Sequence, residues 1–254
     1  MPQPVLLEIC VASVEDALAA VAGGADRLEV NCALALGGLT PSIGLVGEIR
    51  RRVNVPLIAM VRPRAGGFCY SDADSDVMAR DAGALLHAGA EGLAFGVLTA
   101  ESQIDLGRCR HLRDVCGDRA AVFHRAFDVT AEPIATLDRL IELGFTRVMT
   151  SGRKVSAQQG AGLIAEVVSR AAGRIEIMPA AGINASNVCE LVAQTGCNQV
   201  HASARTIARD ASAVSGSRLR FGFSGSLPDS DYERTDPVAV RALRTAIDGL
   251  SGRC

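Results

Sequence analysis

The stretch LLEICVASVEDALAAVAGGADRLEV, residues 6–30, decides the fold. It opens on an apolar run, Leu6–Val11, passes through Ser13 into the helix-patterned VEDALAAVAGG, and closes on a second apolar run, Arg27–Val30. Ser before an acidic first turn is a helix start, and paired glycines are a helix stop. The stretch is therefore one strand–helix–strand unit, and the question is how often it recurs. Working outward, further apolar runs begin at 56, 92, 120, 147, 175 and 199, which with those at 6 and 27 makes eight, spaced 21 to 36 residues apart. They are Pro56–Val61, Gly92–Phe95, Ala120–Phe123, Arg147–Thr150, Ile175–Pro179 and Gln199–Ala202. Helix signals fill the intervals: Ser42 before IGLVGEIRRR, Asp72 before SDVMARDAGALLHAG, Glu132-Pro133 before IATLDRLIELG, then SAQQGAGLIAEVVSRAAG, NASNVCELVAQTG and a final DPVAVRALRTAIDGL. Eight strands alternating with helices predict a (β/α)8 TIM-type barrel of the α/β class. An open doubly wound sheet is disfavoured, since no GxGxxG follows the first strand. One domain is expected over residues 1–254, with 203–236, rich in Ser, Gly and Arg, as an irregular insertion or lid after the last strand.

Composition agrees. Of 254 residues 48% are hydrophobic, 21% charged and only 4% aromatic with no Trp, so Ala, Val, Leu and Ile must fill the core. A net charge of −2 gives no reason to expect nucleic acid or an anionic membrane as partner. Among 26 basic residues Lys154 is the one lysine, so a Schiff-base aldolase has a single candidate, placed past its strand. Eight cysteines, at 10, 32, 69, 109, 116, 189, 197 and 254, form no CxxC pair and predict reduced thiols, and MPQPVLLEIC lacks the basic start of a signal peptide, so a cytoplasmic location is expected. The uncharged stretch 30–47 contains Pro41 and four glycines and is not read as a membrane span.

Barrel chemistry sits at the carboxyl ends of the strands. Side chains alternate along a strand, which places Glu8 with Cys10 and Glu29 with Asn31 on single faces, with Cys32 one step out of phase. Other strands end in Arg62-Pro63-Arg64, His124-Arg125 followed by Asp128, Thr150-Ser151-Gly152, and His201 with Ser203. Glu8, Glu29, His124, Asp128 and His201 are candidate catalytic groups, and Glu8, Glu29, Arg62, His124 and His201 are expected to converge in one pocket. Arg62 and Arg64 either neutralise Glu8 and Glu29 or clamp an anionic substrate. Thr150, Ser151, Gly152, Gly182 and Ser203 would complete such an anion cradle.

The segments LEICVASVEDALAAVAGGADRLEV, GGLTPSIGL, VRPRAGGFCYSD, FGVLT with IDLGR, VFHRAFDVT, ELGFTRVMTSG, RIEIMPAAGIN and VHASAR resemble, in order, the signature segments of the CutC family, named for copper homeostasis. The resemblance runs from Leu6 to Ser203 without a gap. It implies a cytosolic TIM-type barrel, found as homodimers or homotetramers, assigned to copper handling or copper binding. It also implies copper ligands in the first two strands, of which Cys10 matches the first. Where relatives read IELC this chain reads LEVNC, so Asn31 takes the place of the second cysteine and Cys32 follows one residue later. Further departures are Gly67 for the Asp of RGGDF and PAAG at 179–182 for PGAG. Two functions stand side by side: copper binding through Cys10 with or without Cys32, weakened by Asn31 because Cu(I) favours soft thiolates, and an enzyme acting on a small anionic or sugar-like metabolite.

Overall fold

The computed structural model describes residues 4–212, 227–228 and 230–251. Eight parallel strands form one sheet: β1 Leu6–Val11, β2 Arg27–Val30, β3 Leu57–Met60, β4 Gly92–Phe95, β5 Ala120–Phe123, β6 Arg147–Thr150, β7 Glu176–Pro179 and β8 Gln199–Ala202. Each strand pairs with the next, β1 also pairs with β8, and an Ala180–His201 bridge joins β7 to β8, so the sheet curls into a barrel. The eight apolar runs read from the sequence are these strands, within one residue at every end.

Between them run α1 Val14–Gly23, α2 Ile43–Arg50, α3 Asp72–His87, α4 Leu106–Cys116, α5 Pro133–Glu142, α6 Ala161–Ala171 and α7 Val188–Thr195, with α8 Pro237–Ser251 last. Ser13 and Ser42 cap α1 and α2 by accepting from the Asp16 and Leu45 amides. The third cap is Ser71 and not Asp72: Ser71 and Asp74 form a reciprocal capping box, which leaves Asp72 inside the first turn. Helix α6 starts five residues later than the pattern from Ser156 suggests, because Gly160 lies so close to Ser151 that an added Cβ would stand 1.9 Å from the Ser151 carbonyl oxygen.

Strand parity separates two cores. Leu7, Ile9, Leu28, Val30, Leu57, Leu93, Phe95 and Phe123 face the helices and are fully buried in the large outer core. The alternate residues fill the barrel, where Ile58, Met60, Ala94, Val122, Met149, Met178 and Ala180 make a small apolar cluster. That cluster comes from β3 to β7. Apart from Leu6, the inward positions of β8, β1 and β2 are polar instead: Gln199, His201, Glu8, Cys10, Arg27, Glu29 and the adjoining Asn31, all buried except the half-buried His201. One wall of the barrel is thus hydrogen-bonding and the opposite wall thioether and methyl.

The expectation of an irregular stretch at 203–236 is corrected. Arg205–Arg209 and Asp231–Thr235 are two further strands, β9 and β10, paired antiparallel. Both carry charged and apolar side chains on exposed faces, so no one-sided pattern announced them. The base of this hairpin is fixed to the barrel, since the Thr235 amide donates to Asp16 Oδ1 at 2.6 Å and Arg205 Nη2 to the Cys10 carbonyl at 3.2 Å. Residues 213–226 and 229 of the expected lid lie outside the described residues.

Candidate functional site

At the carboxyl ends of the strands the barrel opens into a cavity of about 270 Å³. Cys10, Glu29, Arg62, His124 and His201 line it, as does Asn31, which brings together four of the five residues expected to converge. Glu8 is the exception. It lies one layer deeper on β1, below Cys10, and reaches the cavity only through His201.

The register explains this layering. Glu8 is level with Arg27 on β2 and with His201 on β8, and Cys10 is level with Glu29. The Arg27 Nε–H donates to Glu8 Oε2 in a close ion pair, and Arg27 Nη2 donates to Gln199 Oε1 at 2.8 Å. His201 Nδ1 stands 2.8 Å from Glu8 Oε1, and its Nε2 lies 3.9 Å from Glu29 Oε2. One imidazole is therefore held between two carboxyls. Their environments differ: burial works to raise both, but Arg27 beside Glu8 overrides it and holds that carboxyl down to about 2. Glu29 has no guanidinium on it, and burial with the neighbouring Glu8 charge pushes it up despite His201. Burial also opposes charge on His201, yet the Glu29 and Glu8 carboxylates and Cys10 raise it well above its ordinary value.

His124 closes β5 and begins a 3₁₀ turn, Arg125–Val129, that sequence periodicity missed. Its Nδ1 accepts from the Ala126 amide at 3.2 Å, so the ring proton sits on Nε2, which has no partner. Gly96 makes room for the ring, because any Cβ there would fall 2.8 Å from it. The ring packs against Phe68 at a tilt of 54°, with centroids 4.9 Å apart. Burial, helped by the Arg62 charge, pushes His124 down to about 3, leaving a neutral hydrogen-bond donor. A testable consequence follows from that direction. The unfolded chain takes up this proton near pH 6.5 and the folded chain only near 3, so stability is complete above 6.5 and falls with pH below it. At pH 5 the group costs about 2 kcal/mol. Urea unfolding at pH 7 and 5 should show a smaller acid loss in His124→Gln than in the parent, and equal losses would mean that the ring is charged or exposed.

The arginines do not serve as expected. Arg62 reaches neither Glu8 nor Glu29. Its Nη1 donates to the Leu36 and Gly38 carbonyls, both at 3.0 Å, and its Nη2 to the Gly66 carbonyl at 2.7 Å. Arg64 leaves the site altogether, pairing with Asp74 at 3.2 Å over the Tyr70 ring. Asp128, Thr150, Ser151, Gly152, Gly182 and Ser203 are absent from the cavity wall. Asp128 is a cage centre: it accepts from Thr150 Oγ1, the Ser151 amide and hydroxyl, the Arg153 amide and Arg125 Nε. The donors expected to cradle a substrate anion are thus taken by an internal one. Gly182 turns its carbonyl to Asn187 Nδ2 at 2.8 Å, and Ser203 is exposed.

Sequence reasoning missed Arg27 and Gln199, and placed Arg125 at the rim without giving it a role. For Arg27 the signal was present, since it shares strand parity with Glu29.

The metal question turns on donors. Among the described residues one trio could hold an ion, Cys10 with Glu29 and His201, whose ligand atoms all lie within 4.8 Å of one another. It contains one thiol. Asn31 places its Nδ2 3.4 Å from Cys10 Sγ and 2.8 Å from Glu29 Oε2, and Cys32 turns away to donate to the Thr40 carbonyl at 3.0 Å. The expectation that Cys10 and Cys32 face apart holds, and a two-thiolate Cu(I) site does not assemble.

The model of the CutC family matches residues 5–206. The chain belongs to the CutC family. It is 43% identical over 237 residues to the family protein CutC of Treponema denticola, covering 93% of this chain and 94% of that one. It is 40% identical over 238 residues to the copper homeostasis protein cutC homolog of Homo sapiens, covering 94% and 87%. The crystal structure of a CutC protein from Streptococcus agalactiae superimposes with a TM-score of 0.75 at 30% identity, over 78% of this chain and 97% of that one. The CutC barrel is accordingly the fold found here. No helix among the described residues is long and apolar enough to cross a membrane.

Proposed function

We propose that this chain is an enzyme that moves a proton on a small carbonyl metabolite bound in the barrel mouth. The observation that carries this reading is the run Glu8–His201–Glu29: two buried carboxyls on one imidazole, the inner held ionised by Arg27 and the outer free to take and return a proton. Carboxyls driven apart by their surroundings are the usual mark of acid–base assignment. Glu29 accepts a carbon-bound proton. The electron pair moves to the adjacent carbonyl oxygen, which takes a hydrogen bond from neutral His124 Nε2–H, and return of the proton restores Glu29. His201, fixed by Glu8, supports the charge change on Glu29. A carrier of soft metal needs none of this apparatus.

The test is deuterium wash-in. Unlabelled aldoses, ketoses and keto acids incubated with the protein in D2O should exchange one carbon-bound proton, read by NMR, and Glu29→Gln should abolish the exchange in a folded protein. No exchange with any compound, or exchange undiminished in Glu29→Gln, removes the reading.

Copper binding, a reading of the words copper homeostasis in relatives' names, finds one thiol at this site. Weak Cu(I) binding is therefore expected, unaffected by Cys32→Ser. Asn31→Cys would set a second thiol beside Cys10 and should tighten Cu(I) at least about tenfold, because thiolates are the ligands Cu(I) prefers. Competition against a Cu(I) chelator measures both, and tight binding lost in Cys32→Ser would overturn the register argument.

A further inference from the structure

We infer that Cys10, Glu29 and His201 form a zinc site in the barrel mouth, and that the bound ion closes the proton-transfer site by taking Glu29. The binding stands on its own geometry, and the closing rests on the proton-transfer reading of the same cavity.

Distance is the first ground. His201 spends its Nδ1 on Glu8 Oε1 at 2.8 Å, which leaves Nε2 for the cavity, 3.9 Å from Glu29 Oε2. The ligand atoms of Cys10, Glu29 and His201 all lie within 4.8 Å of one another. Zinc bonds of about 2.0–2.3 Å at tetrahedral angles place ligand atoms about 3.3–3.8 Å apart, so small side-chain shifts bring all three onto one ion. The imidazole is also held as a ligand needs to be. A metal-bound histidine ordinarily fixes its other ring nitrogen on a carboxylate, and Glu8, paired with Arg27, is that carboxylate.

Donor type and charge are the second. One thiol, one imidazole and one carboxylate are the mixed S, N and O set that zinc accepts, whereas Cu(I) finds a single soft ligand. Cys10 as thiolate and Glu29 as carboxylate together cancel the two charges of Zn2+, so the buried complex is neutral. The acids that flank the imidazole draw a cation as they draw a proton, and an incoming ion displaces any proton held there. Of the cations nearby, Arg27 is paired with Glu8, Arg205 reaches the Cys10 carbonyl, and Arg62 lies over Phe68, where its charge bears on His124. Among the described residues none of these forms an ion pair with Glu29, whose carboxylate is left open to an ion.

Unpaired atoms are the third. Glu29 is 3% exposed, and its Oε1 is buried without a partner on the wall of this cavity. Buried polar groups are ordinarily hydrogen-bonded, and an acceptor left alone is answered by a donor or a cation. Asn31 Oδ1 is likewise unpaired, while its Nδ2 donates to Cys10 Sγ at 3.4 Å and to Glu29 Oε2 at 2.8 Å. That nitrogen serves the two anionic ligands as a cation would. Turning the amide over replaces the donor by an oxygen, a fourth ligand for the ion.

The experiment titrates the full chain, in a reductant that does not bind metal, with zinc chloride against a zinc-binding indicator and with Co2+ as a coloured substitute. One zinc should bind per chain, and Co2+ should show a thiolate charge-transfer band together with the strong visible bands of a four-coordinate ion. Cys10→Ser should erase the charge-transfer band and weaken zinc about tenfold or more, and Glu29→Gln should weaken it as much, since even a partner one shell out from a metal is worth about 10–100-fold. Cys32→Ser should change neither. Unfolding curves without metal verify that the variants fold. Absence of one-to-one binding overturns the site, as does affinity retained in both Cys10→Ser and Glu29→Gln or lost in Cys32→Ser. In the deuterium wash-in assay zinc should suppress exchange over the concentrations at which it binds, and exchange that persists at saturating zinc overturns the closing of the site. Zinc bound one-to-one by a chain that exchanges no proton even without metal removes the proton-transfer reading alone, so the two failures are separable.

Discussion

Glu8→Gln is expected to lower the free energy of unfolding by about 3–5 kcal/mol, the range seen when one partner of a buried ion pair is removed. Glu8 is 1% exposed, and its carboxylate sits on the Arg27 guanidinium and on His201 Nδ1. Arg147, at 6% exposure, adds its charge to the same field. A neutral amide leaves these cations buried without their shared anion. The effect must also be pH-dependent. Because the Glu8 carboxyl is held near 2, its contribution is fully present above about 4.5 and is lost as pH falls toward 2. Glu8→Gln should therefore lose most at neutral pH, and the gap from the parent should narrow in acid. Urea unfolding at pH 7 and 4 measures both. Glu176→Gln is the control: it touches Arg147 from a half-exposed position and should cost less than about 1 kcal/mol. Pairing Glu8→Gln with Arg27→Met should recover part of the loss, since the uncompensated charge goes with it. A Glu8→Gln variant within about 1 kcal/mol of the parent would mean that water reaches this layer.

The same residues show what a sequence can disclose. Parallel barrel strands are buried on both faces and stand out as continuous apolar runs between cap and glycine signals, so the eight barrel strands were legible nearly residue by residue. Parity then placed Glu8, Cys10, Glu29 and Asn31 inward, because alternation is a local property. Arg27 obeys the same rule, and its buried partners Glu8 and Gln199 come from other strands that parity alone does not bring beside it. For Arg62, Arg64 and Asp128 parity is not enough. Their types suit an anion clamp and an acid, but their roles depend on partners fixed by loop conformation, and no periodicity encodes that the Leu34–Leu36 turn presents carbonyls to Arg62 or that the β6 loop folds around Asp128. Asn31 carries the opposite lesson. It was legible as a missing cysteine, and the structure adds that its amide fills the space between Cys10 and Glu29.

Arg62→Ala should destabilise the protein by about 3 kcal/mol or more, an effect on folding and not on recognition of an anion. Its fork ties three loop carbonyls from two segments, 34–38 and 66, and its own amide donates to Thr40 Oγ1 at 2.9 Å. The guanidinium also lies over the Phe68 ring at 5.3 Å, and Phe68 in turn supports His124. Hydrogen bonds from a charged donor each contribute about 1.5–3 kcal/mol, and carbonyls left unmatched in a partly buried mouth regain only some of that from water. Arg62→Lys should recover little, because an ammonium cannot span carbonyls set for a planar fork. Hydrogen exchange distinguishes this from the anion-clamp role: amides around 36–40 and 66–68 should lose protection in Arg62→Ala while those of β5 and β6 keep theirs. Were Arg62 instead a substrate clamp, stability would change little, local protection would persist, and only the affinity for an anionic ligand would fall. The cavity's shape depends on which holds, since the walls that carry Leu34 and Phe68 stand where Arg62 keeps them.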